Sequence, residues 1–74
     1  MEKVTVQKQL AHAIRARREI LKFSQESFAD SIGMHRAYYS AIERGERNIT
    51  VDTLERVSVG LRTTIATLAA DAGI

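Results

Sequence analysis

The chain has 74 residues, the length of one small domain spanning 1–74, and its 45% hydrophobic and 27% charged residues argue against disorder throughout. It contains no cysteine or proline and only four glycines, which excludes disulfides, thiolate metal sites and cysteine catalysis and favours helices over a turn-rich β fold. The net charge of +2 is ordinary, but nine of the eleven Lys and Arg residues precede residue 49, a mild indication of a nucleic-acid partner.

Five short amphipathic segments predict five helices in chain order. The first, roughly residues 5–22, has its apolar side chains on one face: Val6, Leu10, Ala11, Ile14 and Leu21. The second, about residues 25–32, follows the N-cap Ser24 and ends before Gly33. The third, about residues 35–44, directs Tyr39 and Ile42 inward and ends before Gly45.

The fourth helix begins after the N-cap Thr50, and a short fifth helix covers about residues 64–72. The fourth helix has an apolar stripe, formed by Val51, Leu54, Val57 and Leu61. Because no segment alternates with period two over a useful length, we predict an all-α fold, a compact bundle of five short helices without a sheet.

Helices two and three are joined by about three residues with a glycine in the turn, which is typical of a helix-turn-helix unit. In such a unit the third helix enters the major groove of DNA, so it needs one buried face and one face open to bases. The candidates for the open face are polar or small: His35, Arg36, Ala37, Ser40, Ala41 and Arg44.

The run SQESFADSIGMHRAYYSAIERG, residues 24–45, resembles the Cro and phage-repressor (Xre) family of helix-turn-helix regulators. The resemblance rests on the initial Ser-Gln, the alanine at the fifth position of helix two, the glycine in the turn and the closing Ile-Glu-Arg-Gly. It extends from about Leu10 to Leu68, and residues 36–48 are also similar to the controller proteins of restriction–modification systems. It implies a lambda-repressor-like fold and sequence-specific binding of DNA.

The resemblance also implies a role for each matching residue. Gln25 would bind a phosphate, and Ser24 would cap helix two beside it. Base edges would be read by His35, Arg36, Ala37, Ser40 and Ala41, with the fork of Arg36 matched to guanine O6 and N7. Tyr38 would contact a phosphate and a thymine methyl group, and the DNA backbone beyond helix three would be followed by Arg44, Arg47 and Asn48.

A structural ion pair is implied between Arg18 of helix one and Glu43 of helix three, which would explain an acid beside DNA phosphates. The chain departs from the family pattern at His35, where Ser, Thr or Asp is the usual N-cap, and at Arg62, where Gly, Asp or Asn usually ends helix four. Gly60, inside helix four, is expected to cost about 1 kcal/mol relative to alanine.

Helix five carries more apolar residues than its inward packing requires. We expect an isologous two-fold interface, with help from helix four, formed by Ile65, Leu68, Ala69 and Ala72. The alternative is that these residues only close the core of the monomer. A homodimer would bind a palindromic double-stranded operator, with its recognition helices about 34 Å apart.

The leading hypothesis is a DNA-binding transcription regulator, either a phage-type repressor or a controller protein. The alternative is an antitoxin or protein-interaction adaptor on the same fold, which the polar, basic face of helix three disfavours. No enzyme is expected, because the sequence contains no recognisable triad, metal-ligand spacing or phosphate loop. We expect no cofactor, no metal and no small-molecule ligand. Because residues 1–8 lack an apolar signal core and no apolar run approaches membrane-spanning length, a cytoplasmic protein without a membrane partner is also expected.

Overall fold

A computed structural model describes residues 5–74 and contains, within them, five helices and no strand. The helices are α1 Val6–Ile20, α2 Gln25–Ser31, α3 Arg36–Glu43, α4 Val51–Gly60 and α5 Ile65–Asp71. The predicted all-α class is thus confirmed. Residues 1–4, which belong to the N-terminal segment expected to lack an apolar signal core, lie outside the described residues. No helix in the described range is long and apolar enough to span a membrane.

Side-chain caps fix where the five helices of residues 5–74 begin. The hydroxyl groups of Thr5, Ser24, Thr50 and Thr64 each accept from the backbone N–H three residues later, at 3.0–3.2 Å. At α3 the acceptor is an imidazole, since Nδ1 of His35 lies 3.3 Å from the N–H of Ala37. Histidine therefore takes the place of the usual hydroxyl or carboxylate, and α3 begins at Arg36.

The helix ends share a second motif, a residue with positive φ followed by an N–H that bonds to a carbonyl five residues back. Glycine supplies this conformation after α2 and α3, as the sequence predicts. After α1 and α4 it is supplied by Lys22 (φ 63°) and Arg62 (φ 59°), which is why α1 ends two residues earlier than predicted. Residues other than glycine rarely adopt this backbone conformation, so these two helix ends are locally strained.

The core forms where α3 packs against α1 and α2 and where α5 packs against α1 and α4. Its completely buried aromatic pair is Phe28 of α2 and Tyr39 of α3, whose ring centroids lie 5.0 Å apart. Around this pair the core contains Ile14, Ala29, Met34, Ile42, Val57, Leu61 and Leu68. The recognition helix is therefore anchored by its inner face to the rest of the domain.

Two residues of the predicted apolar stripes lie outside the core. Val6 is 55% exposed and Val51 is 72% exposed, because each occupies the first turn of its helix, at the edge of the bundle. Their helical spacing was compatible with a buried face, but a stripe does not reveal where the neighbouring helix stops. The predicted apolar stripes therefore reach the core only beyond these two residues.

The glycine inside α4 has a packing role. A Cβ atom at Gly60 would overlap Cγ2 of Ile32 and lie 3.1 Å from the ring of Phe28. Gly60 thus lets α4 approach the core of α2 more closely than any other residue would. This close approach explains why a glycine stands inside the helix at this position.

Candidate nucleic-acid interface

Helices α2 and α3 form the helix-turn-helix unit and are joined by a turn of four residues, 32–35. Gly33 lies in that turn with a φ of 65°, and the N–H of Met34 donates to the carbonyl of Ala29 at 2.8 Å. Met34 is buried beneath the turn. The turn therefore holds the start of α3 at a fixed place relative to α2.

The outer face of α3 is a polar surface that the rest of the bundle leaves uncovered. His35, Arg36 and Ala37 are exposed, and with Ser40 and Arg44 they line one shallow groove along the helix. We call these five residues the recognition face. All five belong to the predicted DNA-contacting set.

Ala41 does not belong to this face. It is only 7% exposed and lies among the buried residues of α3, with Tyr39 and Ile42. The expectation that Ala41 reads a base edge is therefore corrected: its methyl group packs inward. A small residue is compatible with either side of a helix, and its size was the only signal the sequence provided.

Behind the recognition face lies a buried ion pair between α1 and α3. The guanidinium of Arg18 donates to Glu43, with Nε 2.6 Å from Oε2 and Nη2 3.0 Å from Oε1. Nη1 of Arg18 also donates to the carbonyl of Phe23 at 2.6 Å, and the hydroxyl of Tyr39 donates to Glu43. In the described residues, no buried side-chain nitrogen or oxygen lacks a hydrogen-bond partner.

The electrostatics of this network keep Glu43 ionised. Burial by itself raises the pKa of Glu43, but hydrogen bonds from Arg18, Tyr39 and Gln25 outweigh it and hold that pKa below its usual value. The hydrogen bond to Glu43 raises the pKa of Arg18. Burial and the same carboxylate raise the pKa of Tyr39.

Gln25, the first residue of α2, connects this buried pair to the recognition face. Its Nε2 donates to Oε1 of Glu43 at 3.0 Å, and its Oε1 accepts from the hydroxyl of Ser40 at 2.7 Å. Sequence reasoning treated Gln25 and Ser40 as independent DNA contacts and missed this bond between them. The two residues are fifteen positions apart, and the family pattern assigned each of them to DNA rather than to the other.

After α3, the residues predicted to contact the DNA backbone are positioned by neighbouring side chains. The guanidinium carbon of Arg47 lies 5.3 Å from the centroid of the half-buried Tyr38 ring, a cation–π arrangement. Arg44 forms an exposed ion pair with Glu46 at 3.1 Å. Asn48 accepts a hydrogen bond from Gln7 of α1, so the loop after α3 is fastened to the start of α1.

The predicted interface on α5 divides into buried and open parts. Leu68 is completely buried in the monomer core, so its assignment to a dimer interface is corrected. Ala69 is half-buried, and Ala72 lines a groove between α5 and α1. Ile65 lines a separate groove between α4 and α5 with Val59, which is 69% exposed and absent from the predicted set.

The amino-acid sequence is similar to those of known control proteins. The chain is 46% identical over 57 residues to control protein C.MunI from a Mycoplasma species, covering 77% of each chain. It is 38% identical over 65 residues to control protein C.SmaI from Serratia marcescens, covering 88% of this chain and 77% of that one. The predicted similarity to controller proteins is confirmed.

Two solved structures share the architecture. The clp gene regulator ClgR from C. glutamicum superposes with a TM-score of 0.93 at 21% identity, covering 97% of this chain and 92% of that one, which shows the fold alone. The restriction–modification controller protein C.Esp1396I, solved as a tetramer with its natural 35-base-pair operator, gives a TM-score of 0.83 at 25% identity, covering 97% and 100%. Residues 14–68 match the family described as Helix-turn-helix, and the chain therefore belongs to the helix-turn-helix family.

Proposed function

We propose that this chain is a sequence-specific DNA-binding transcription regulator, of the restriction–modification controller type, that binds a palindromic operator as a homodimer. The observation that carries the proposal is the recognition face. This surface is polar, carries arginines and belongs to a helix whose opposite face is buried in the core. The major groove of DNA is wide enough to admit one such helix. C.MunI and C.SmaI, which are relatives of this chain, are control proteins.

Arg36 carries the base readout in this proposal. It occupies the first position of α3 and is exposed, so its fork can reach guanine O6 and N7 as a bidentate donor. His35 and Ala37 flank it on the recognition face. We expect Arg36→Ala to cost about 1–3 kcal/mol on the best operator and to relax one base position.

Phosphate contacts come from both ends of the unit. At the start of α2, Gln25 uses one Nε2 proton for Glu43 and retains a second proton for a phosphate, beside the exposed N-cap Ser24. After α3, Arg44, Arg47 and Asn48 follow the DNA backbone. The stacking of Arg47 on Tyr38 pre-orders its guanidinium and so lowers the entropy lost on binding.

The dimer surface in this proposal is the α4–α5 groove that contains Val59 and Ile65. A recognition helix reads only a few base pairs, so a two-fold partner doubles the specific contacts. An isologous contact needs a self-complementary apolar patch, and the exposed Val59 beside the half-buried Ile65 provides one. Ala69 remains a candidate for the edge of this surface.

The test is selection of bound duplexes from a random DNA library at near-physiological salt. Recovery of a palindrome with half-sites about one helical turn apart is the expected result. Arg36→Ala should relax one symmetric position of that palindrome. Arg15→Ala is the matched control, because Arg15 is an exposed α1 residue paired with Glu19, and it should leave the selected sequence unchanged.

Two results would contradict the proposal. Weak, salt-sensitive binding without enrichment of any sequence would favour the antitoxin or adaptor function, since only non-specific phosphate contacts would remain. Equal loss of affinity for the operator and for random DNA in Arg36→Ala would remove the base-reading role from Arg36.

A further inference from the structure

The hydroxyl group of Ser40 takes part in two environments at once. Ser40 lines the groove of the recognition face with Arg36 and Arg44. It is half-buried and also donates a hydrogen bond to Oε1 of Gln25 at 2.7 Å. Any base edge that meets Ser40 therefore meets a hydroxyl already engaged on its inner side.

The direction of that hydrogen bond is fixed by the ion pair behind it. An ionised carboxylate can only accept, so the group of Gln25 that faces Glu43 at 3.0 Å must be the amide N–H. Glu43 is ionised because Arg18 donates to both of its oxygens. The carbonyl oxygen of Gln25 must then face Ser40, and a carbonyl also can only accept.

It follows that the only proton of the Ser40 hydroxyl points inward. The chain of donors runs from Ser40 to Gln25 and from Gln25 to Glu43, with no alternative orientation that keeps every bond. The two lone pairs of Ser40 Oγ remain available to accept hydrogen bonds from a group outside the protein. The recognition face thus presents an acceptor at this position, although serine in general can donate or accept.

We infer that Ser40 is a specificity-determining residue that accepts a hydrogen bond from an exocyclic amino group, N6 of adenine or N4 of cytosine, in the major groove. The inference rests on the proposed function. In that groove these amino groups are the donors, whereas guanine O6 and N7, adenine N7 and thymine O4 are acceptors. An acceptor base edge opposite Ser40 leaves two facing lone pairs and an unpaired polar group.

Gln25 is the positioning residue in this arrangement. It acts on the base through Ser40, whose proton it holds. The two residues therefore have different expected phenotypes: loss of Ser40 removes a base contact, whereas loss of Gln25 frees the Ser40 proton and changes which base edges it tolerates.

The experiment combines protein variants with single-atom changes in the selected operator. Adenine is replaced by purine, or cytosine by pyrimidin-2-one, at each half-site position in turn, so that only the amino group is removed. For the unsubstituted chain we expect one symmetric position where this deletion weakens binding about fivefold per half-site, the effect of one neutral hydrogen bond. Ser40→Ala should bind the deleted and intact operators equally at that position.

Two further variants separate a base contact from a structural role. Ser40→Thr keeps the hydroxyl and should restore the dependence on the amino group. Gln25→Leu removes the internal acceptor, and the amino dependence should then fall while an acceptor base becomes tolerated at the same position. A merely structural role of Ser40 would lower affinity for every operator and for random DNA alike.

The outcomes distinguish this inference from the proposed function. If the wild-type chain selects an operator but every amino deletion weakens wild type and Ser40→Ala by the same factor, the inference is overturned and the proposed function stands. If the wild-type chain selects no operator, both are overturned.

Discussion

Arg18 and Glu43, 25 residues apart in the sequence, form a buried ion pair with N···O distances of 2.6 and 3.0 Å. The pair joins the last turn of α1 to the last residue of α3. Through Gln25 it also reaches Ser40, on the recognition face. One charged pair thus fixes both the position of the recognition helix and the polarity of a hydroxyl on its outer side.

Removing one partner of this pair should destabilise the domain strongly. We expect Glu43→Gln to lower the free energy of unfolding by about 3 kcal/mol, because Arg18 remains buried opposite a neutral amide. Urea denaturation followed by circular dichroism measures the change. Glu19→Gln, which removes an exposed partner of Arg15, is the control and should cost no more than about 0.5 kcal/mol. Equal losses in the two variants would contradict a stabilising role for the buried pair.

Acid should weaken the fold through the same carboxylate. The folded-state pKa of Glu43 lies below its ordinary value of 4.5, so the unfolded chain binds the proton more readily. The stability that Glu43 contributes is therefore present above about pH 4.5 and is lost as the pH falls through the folded-state pKa. The urea concentration at the unfolding midpoint, measured from pH 7 down to pH 2, should decrease once the pH is below about 4.5.

The matched comparison assigns this acid transition to Glu43. Other carboxylates titrate in the same range, so the decisive quantity is the difference between wild type and Glu43→Gln. That difference should shrink as the pH falls below 4.5, because the protonated wild-type carboxyl then resembles the amide. A difference that stays constant from pH 7 to pH 2 would show that Glu43 is not the titrating group.

Local rules accounted for most of the fold. Hydroxyl caps at Ser24 and Thr50 and glycines after α2 and α3 mark helix ends in the sequence, because their hydrogen bonds and backbone angles are short-range. The residues that local rules misplaced are decided by neighbours distant in sequence. Ala41 and Leu68 turn inward because other helices cover them, and Lys22, which the sequence placed inside the first helix, takes a positive φ because the chain must turn there.

The candidate site divides in the same way. Arg36 and Arg44 lie on the recognition face as the sequence predicts, because charged side chains of α3 are unfavourable in the apolar core. The bond from Ser40 to Gln25 and the stacking of Arg47 on Tyr38 could not be predicted, because each depends on two side chains meeting across a turn or loop.

Gly60→Ala tests local propensity against packing. Helix propensity alone predicts a gain of about 1 kcal/mol in stability, because alanine is the better helix former. The structure predicts the opposite sign, since the new methyl group overlaps Ile32 and crowds the ring of Phe28. We expect a net loss of about 1–3 kcal/mol from overpacking, measured by thermal unfolding. In a double-mutant cycle, Gly60→Ala should cost less in the Ile32→Ala background than in the wild type, because the overlapping methyl group of Ile32 is then absent. A stabilised single Gly60→Ala variant would contradict the close approach of α4 to α2.

The dimer surface is tested by a charge placed on an exposed residue. We expect Val59→Asp to convert a dimer to a monomer, because it puts two carboxylates across the two-fold contact, and to leave the fold intact, because Val59 is 69% exposed. Sedimentation equilibrium reports the mass and circular dichroism the fold. Affinity for the full palindrome should fall towards that for a single half-site.

Val6→Asp is the matched control for this variant, since Val6 is 55% exposed at the start of α1 and lines neither of the two grooves that contain a predicted interface residue. It should remain dimeric. Leu68→Ala distinguishes the corrected assignment from the original one: a buried leucine should cost about 2–5 kcal/mol of folding stability, whereas an interface leucine would lower the dimer affinity of a fully folded chain. A dimeric Val59→Asp together with a folded, monomeric Leu68→Ala would return the interface to the inner face of α5.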